Sequence, residues 1–520
     1  MNRSIFSVLI TIGGTFLAVI LALTIFTSEG NVLGNSLRYL APGMLLLGLI
    51  VPRFTFFTLP VLGAFMDYVV YLLYTSGGVY FLDEKLSKLA PPLGVFGIVV
   101  SLGLGRIIKG NSARDEGGIS NRSYLTLLFY AVGLTLLLFG AGFLSGRNAG
   151  AVQAVSLSLT FAPYGMLIFV APVILDNNTT LRRWVILSIC ISLVPCVMGI
   201  KQHYIGITAS ELAFMETQAL IGQLELGKFD KIQAFGMSRS PGALATLSAS
   251  MGIFCLILVM RAKYFKIGKF GKLVLTCVAA LFFLSLFSSG KRLGFAIVPI
   301  FFIAYWTYRG GIRTGLLYTA CAIGLVAVII FSDNVQTSLK ESQKKIYAQA
   351  ETKEETQNLK FTANLATYND RIRTFALLKD KETYTLFGKA RRLYNQEELA
   401  AHSLPIQLLL GIGVVPVTLL LSVFGLIFYT LHRMYWRAWR VGSESLLSYP
   451  FFCYLIAIFG VSALGAKYIG GFPITMYIGV AGGLTLKNYV LRRVSNDLDE
   501  DALMEDDSIV SLSGRSGKIA

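Results

Sequence analysis

The stretch LLYTACAIGLVAVIIFSDNVQTSLKESQKK, Leu316 to Lys345, changes character at a single peptide bond. Its first sixteen residues are apolar and carry no charge, whereas from Ser332 the chain stays polar as far as Ala401. That polar insert holds twelve Lys or Arg and ten Asp or Glu, and leaves through Ala401-His402-Ser403 into another apolar run. An uncharged run of this kind belongs in a bilayer, where each backbone polar group must be satisfied within its own helix. The insert is the longest interruption, some seventy residues, in a chain that is mostly membrane sequence.

Working outward, apolar runs recur at about 5–26, 37–52, 54–74, 90–107, 123–144, 152–175, 184–200, 243–260, 273–289, 293–308, 315–331, 403–431, 447–465 and 470–487. These fourteen segments predict an all-α polytopic membrane protein. Composition agrees: 54% of residues are hydrophobic and only 14% charged, against roughly a quarter charged in soluble domains. The first run, Ile5 to Phe26, is too long for a signal-peptide core and lacks a small-residue cleavage site, so it reads as a retained helix. All six cysteines fall inside apolar runs, without metal-ligand spacing, and are expected to be buried packing residues.

Charge asymmetry orients the bundle. With the N-terminus in the cytoplasm, the inside segments collect 23 Lys or Arg, while the short outside loops hold only seven: Arg38, Lys85, Lys88, Arg147, Lys291, Arg292 and Lys467. The bias places both termini inside. The net charge of +17 is therefore an orientation signal and an affinity for anionic membrane lipids, and not a nucleic-acid footprint. Two long loops, 201–241 and 332–401, then lie outside. In the larger, Val335, Leu339 and Ile346 suggest an amphipathic surface helix, and Arg371 to Lys379 a second short helix. The tail is acidic from Asp497 to Asp507 and reads as disordered cytoplasmic chain.

Cations at the outer face point to chemistry. Arg239 stands in Ser238-Arg239-Ser240-Pro241-Gly242, directly ahead of an apolar run. Lys291 and Arg292 occupy a tight outside turn, against the orientation trend. For one such arginine, snorkelling to lipid phosphate is the ordinary reading. Two basic spots at one depth indicate a shared anion site, for which the arginine fork is suited. Of the three histidines, His203 and His432 read as interfacial residues. His402 ends the large loop at the same level as the cations, and imidazole accepts protons near neutral pH. No metal-ligand cluster and no nucleotide-binding glycine motif is present. A donor used here must arrive already activated.

Four segments resemble the O-antigen ligase and O-antigen polymerase superfamily of bacterial membrane glycosyltransferases. SRSPGALATLSAS (238–250) and FSSGKRLGFAI (287–297) are similar to segments that place Arg239 and Arg292 on the family's arginines. DRIRTFALLKDKETYTLFGKA (370–390) is similar to its Arg-x-x-x-Trp helix and Pro-Leu-x-Gly-x-Gly stretch, with Arg371 on the arginine and Phe375 in place of tryptophan. Thr385 and Ala390 depart from the proline and the last glycine. AHSLPIQLLLGIGVVP (401–416) places His402 on the family's histidine, with Ser403 where asparagine is usual.

The resemblance covers roughly 183–430 and implies a GT-C-like bundle acting on undecaprenyl-diphosphate-linked glycan at the periplasmic face of the bacterial inner membrane. Arg239 and Arg292, with Lys291 and Arg371, would hold the donor diphosphate, and His402 would act as general base. Neither metal nor other cofactor is implied, because a polyprenyl diphosphate is its own leaving group. The acceptor would be a second glycan or a lipid A core, with other polysaccharide-assembly proteins as further partners. The motifs do not separate ligase from polymerase. On this reading 1–182 are N-terminal transmembrane helices, 183–431 the transferase core with both loops, 432–489 C-terminal transmembrane helices and 490–520 the tail. The rival is a lipid-linked-oligosaccharide flippase or other transporter. That would call for intramembrane charges and repeat symmetry, and within the spans Asp67 is the main ionisable residue.

Overall fold

The structure, a computed structural model, describes residues 32–75, 89–109, 121–147, 150–208, 211, 234–238, 240–290, 292–331, 384–388, 404–440, 449–464 and 473–487. Among the described residues the regular structure is helical, without strands. In chain order the helices are α1 (Val32–Ile50), α2 (Pro52–Thr75), α3 (Ala90–Lys109), α4 (Asn121–Gly146), α5 (Ala151–Ile174), α6 (Asn178–Tyr204) and α7 (Pro241–Met260). There follow α8 (Lys269–Ser288), α9 (Arg292–Phe331), α10 (Leu404–Ile412), α11 (Val414–Arg440), α12 (Tyr449–Leu464) and α13 (474–487). Among the described residues, five helices are long and apolar enough to cross a membrane: Leu127–Leu144 within α4, then α6, α7, α8 and Val414–Trp436 of α11. The chain is thus an α-helical, multi-pass membrane-type protein. The first expected span, 5–26, lies outside the described residues.

Boundaries differ from the apolar runs where backbone geometry intervenes. The runs 293–308 and 315–331 are two halves of α9, separated by a break at Gly311 (φ 84°). The run 403–431 is split at Gly413 (φ 89°) into the short α10 and the long α11. Hydropathy marks the first break, since the apolar runs stop at 308 and resume at 315, but it is blind to the second, where Gly413 leaves the average unchanged.

The bundle is built around α7. About 78% of its apolar window is buried, against 22% in α4 and α8 and 17% in α11. It packs against α6, α8, α9 and α12. The outer helices turn large apolar side chains outward, among them Phe129 and Leu136 on α4, Leu273 and Leu281 on α8, and Leu419 and Leu426 on α11. Such faces suit acyl chains. Between helices the attraction comes from close packing and buried hydroxyls. The Ser248 hydroxyl on α7 meets Cys196 Sγ on α6 at 3.3 Å and donates to Ser285 Oγ on α8 at 3.0 Å, and Ser250 Oγ pairs with the Tyr454 hydroxyl on α12 at 3.0 Å. Of the cysteines, Cys196, Cys255 and Cys453 are buried as expected. Cys190 and Cys277 are exposed, on outward faces of α6 and α8, because an apolar segment at the rim has an apolar outside.

Polar contacts sort the helix ends into two groups. At one end, Lys487 donates to the Asp176 carbonyl at 3.1 Å, Arg53 faces the Asp176 carboxylate at 3.6 Å, and Arg182 donates to the Phe265 carbonyl at 2.7 Å. There too the buried Arg261 guanidinium lies 4.7 Å over the Tyr449 ring, and Tyr308 shares a hydrogen bond with His432, whose ring stacks on Trp436. This is the basic end. The end of α6, the start of α7, the α8–α9 turn and residues 384–388 form the opposite, loop end.

Candidate functional site

Gln202 organises the loop end. It sits on the last turn of α6 and is 1% exposed. Its carbonyl oxygen accepts from the backbone N–H groups of Phe235 (3.1 Å) and Gly236 (2.8 Å). Its amide donates to the Gly236 carbonyl and to Glu211 Oε1, both at 3.0 Å. The side chain therefore pairs with the backbone of 235–236 as a neighbouring peptide group would, and every hydrogen-bonding capacity of the carboxamide is met. Gly236 is required there: its φ is 61°, and a Cβ would lie 2.3 Å from the Pro195 carbonyl. The same segment is tied to α8, since the Ala234 N–H donates to the Ser288 carbonyl at 3.1 Å. Two residues beyond Ser238, Ser240 caps α7 by accepting from the Ala243 N–H at 3.2 Å, with Pro241 at the first helical position.

Glu211 supports Gln202. The Thr208 N–H donates to Glu211 Oε2 at 2.7 Å, and the Glu211 N–H returns to Thr208 Oγ1 at 3.3 Å. This reciprocal pair is a capping box. The same carboxylate takes the Lys201 ammonium at 2.8 Å. Burial pushes the Glu211 carboxyl up, but its donors, Lys201 foremost, together hold it below the ordinary carboxylate value. His203 stands edge-on to Tyr204 and Phe287.

The return of the large loop is built separately. Four consecutive carbonyls, from Thr385 to Gly388, are all engaged. The first two accept from Val414 N–H (2.9 Å) and Val415 N–H (3.3 Å), which are free donors at the start of α11. The other two, of Phe387 and Gly388, accept from the two terminal nitrogens of Arg147, just past α4. Gly388 (φ 72°) and Gly413 (φ 89°) lie back to back, so that a Cβ on either would meet the other's backbone at 2.7 Å or less.

Of the residues expected to carry the chemistry, Arg292 is the first residue of α9. Arg239, Lys291, Arg371 and His402 lie outside the described residues, as do the expected helices of the 332–401 loop and the 490–520 tail. The structure does bring together the backbone on either side of the two basic spots. Segment 234–238 is bonded to the end of α8, and Gly294 on the first turn of α9 would place a Cβ 3.0 Å from Ala245 Cβ on the second turn of α7. Gln202, Glu211 and Arg147 were not singled out by sequence reasoning. The T-x-x-E spacing of Thr208 and Glu211 is a helix-start signature, but Gln202 binds residues 33 and 34 positions away, beyond any local pattern. Among the described residues no three His, Cys, Asp or Glu side chains form a metal-holding group.

Compared with protein-family models, curated proteins and solved structures, the chain matches none.

Proposed function

We propose that the chain is a membrane glycosyltransferase that takes glycan from an undecaprenyl-diphosphate donor, as an O-antigen polymerase or ligase does, working at the loop end of a bundle of fourteen spans. The observation that supports this reading is the pinning of 234–238 between Gln202 and Ser288. It draws the flanks of Arg239 and the first turn of α9, with Arg292, to one end of the buried helix α7. On this reading the basic end faces the cytoplasm and the loop end the periplasm.

The chemistry follows from the residue types. An acceptor hydroxyl attacks the anomeric carbon of the donor sugar, the bond to the diphosphate breaks, and the diphosphate departs with the bonding pair. Arg239 and Arg292, with Lys291 and Arg371, stabilise the charge that develops on it. A dry bilayer edge strengthens that interaction relative to water. His402 removes the acceptor proton.

The test uses purified protein and lipid-linked donor. Arg239→Ala and Arg292→Ala should each abolish product with expression unchanged, and lysine should rescue poorly because a point charge lacks the bidentate fork. His402→Ala and His402→Gln should both lose transfer by about 10²- to 10⁴-fold while still binding donor. Full activity in both arginine variants would reduce those cations to lipid anchors. Near-normal transfer by His402→Gln would leave that histidine a loop anchor.

A further inference from the structure

The chain between α7 and α8, RAKYFKIGKFGK from Arg261 to Lys272, carries five basic residues and no acid. It is a built turn. The Tyr264 and Phe265 N–H groups donate to the Arg261 carbonyl, and the Ile267 and Lys266 N–H groups donate to the carbonyls of Ala262 (2.9 Å) and Lys263 (3.3 Å). Those last two bonds make a Schellman closure, in which the residue at the left-handed position is normally glycine. Here it is Lys266, at φ 52°. An L-residue other than glycine is disfavoured at that position, so a cation is held at the tip of the turn against the local backbone preference.

The scaffold beneath the turn is fixed. Phe265 is buried and its carbonyl accepts from Arg182, and Arg261 is buried against Tyr449. Lys263, Lys266, Lys269 and Lys272 all point outward as exposed residues. Among the described residues no carboxylate pairs with any of the four. An unneutralised polybasic surface on a rigid support is an anion-docking face.

The chain itself supplies an anion of matching size close by. Lys487, the last residue of α13, is hydrogen-bonded to Asp176, and Arg182, six residues on from Asp176, is hydrogen-bonded to the turn. The two extended and four helical steps between them span at most about 13 Å. The chain beyond Lys487 therefore starts beside the turn. Asp497, Asp499, Glu500, Asp501, Glu505, Asp506 and Asp507 follow within twenty residues, and the ten residues from Lys487 to Asp497 reach about 33 Å when extended. We propose that the acidic segment 497–507 docks on the lysines of the 261–272 turn. The pairing is intramolecular, so its effective concentration is set by that short connection. It would also keep anionic lipid headgroups, attracted by the same charge, off the turn. The inference does not depend on the transferase reading.

The experiment uses the full-length protein in nanodiscs of phosphatidylcholine at low salt. Amine acetylation at Lys263, Lys266, Lys269 and Lys272 is followed by mass spectrometry, alongside carbodiimide cross-linking of carboxylates to lysines. Replacing the seven acids by Asn or Gln should speed acetylation several-fold and remove cross-links between tail and turn. Salt at about 0.5 M, which cuts the screening length to about 4 Å, should do the same in the unaltered protein. Lys266→Gly relieves the backbone at the tip, so it should weaken tail capture without loss of thermal stability. Equal acetylation rates with and without the tail acids, and no cross-link, would overturn the proposal. Protection that arises only in phosphatidylglycerol discs and survives neutralisation of the tail would assign the turn to lipid and likewise overturn it.

Discussion

At Gln202, a neutral side chain, the loop end is held by four hydrogen bonds, and removing them should be costly. Gln202→Leu leaves the Phe235 and Gly236 N–H groups buried without an acceptor, at about 1–3 kcal/mol for each unsatisfied group. Thermal unfolding in detergent should register the loss, and a cysteine placed at Met237, now buried, should become reactive to thiol reagents. Full protection of that cysteine would show that the Ser288 bond alone suffices. Glu211 adds a pH dependence with a definite sign. Its carboxyl is held below the ordinary value in the folded state, so its contribution is complete above the unfolded pKa of about 4.3 and is lost as pH falls through the lower folded value. Melting temperatures recorded from neutral pH downward should therefore show an acid decline that Glu211→Gln flattens. The capping box was legible in Thr208 and Glu211. The partners of Gln202 were not, because a contact across more than thirty residues leaves no periodic trace.

Among the elements, the joint between the large loop and the start of α11 has the least room for change. Gly388→Ala and Gly413→Ala each force a Cβ onto facing backbone and demand a left-handed residue other than glycine. Both should free the loop's return, raising proteolysis at Tyr384 to Phe387 severalfold. Arg147→Ala should do the same more mildly, since Val414 and Val415 keep their two bonds to the loop. Unchanged cleavage in all three variants would mean that the joint does not hold the loop. The order and approximate extent of the described helices could be read from hydropathy, because an apolar run long enough for a bilayer must satisfy its backbone as helix. The break at Gly413 could not, nor could the use of Arg147, which in sequence is one of seven outside cations with nothing to distinguish it. Its role depends on neutral carbonyls roughly 240 residues away.

At the scale of the whole molecule, the sorting of polar contacts into two ends makes topology testable. Cysteines at Gln223 and Gln357 should react with an impermeant thiol reagent in spheroplasts, and one at Gly268 should not. Labelling at Gly268 would invert the bundle and move Arg239 and His402 to the cytoplasmic side. The overall class was legible in composition alone, whereas the centre of the bundle was not, since α7 and α8 are equally apolar, at a mean hydropathy of 2.2, and differ only in what surrounds them. That difference bears on how the sequence can drift. A helix at the rim has an outward stripe on which one oily residue replaces another without consequence, so tolerated variation along α4, α8 and α11 should recur with the helical repeat. Enclosed on all sides, α7 has no such stripe. Saturation mutagenesis should find its tolerance low around the full circumference, with each accepted change at Ser248 or Ser250 answered by another on α6, α8 or α12.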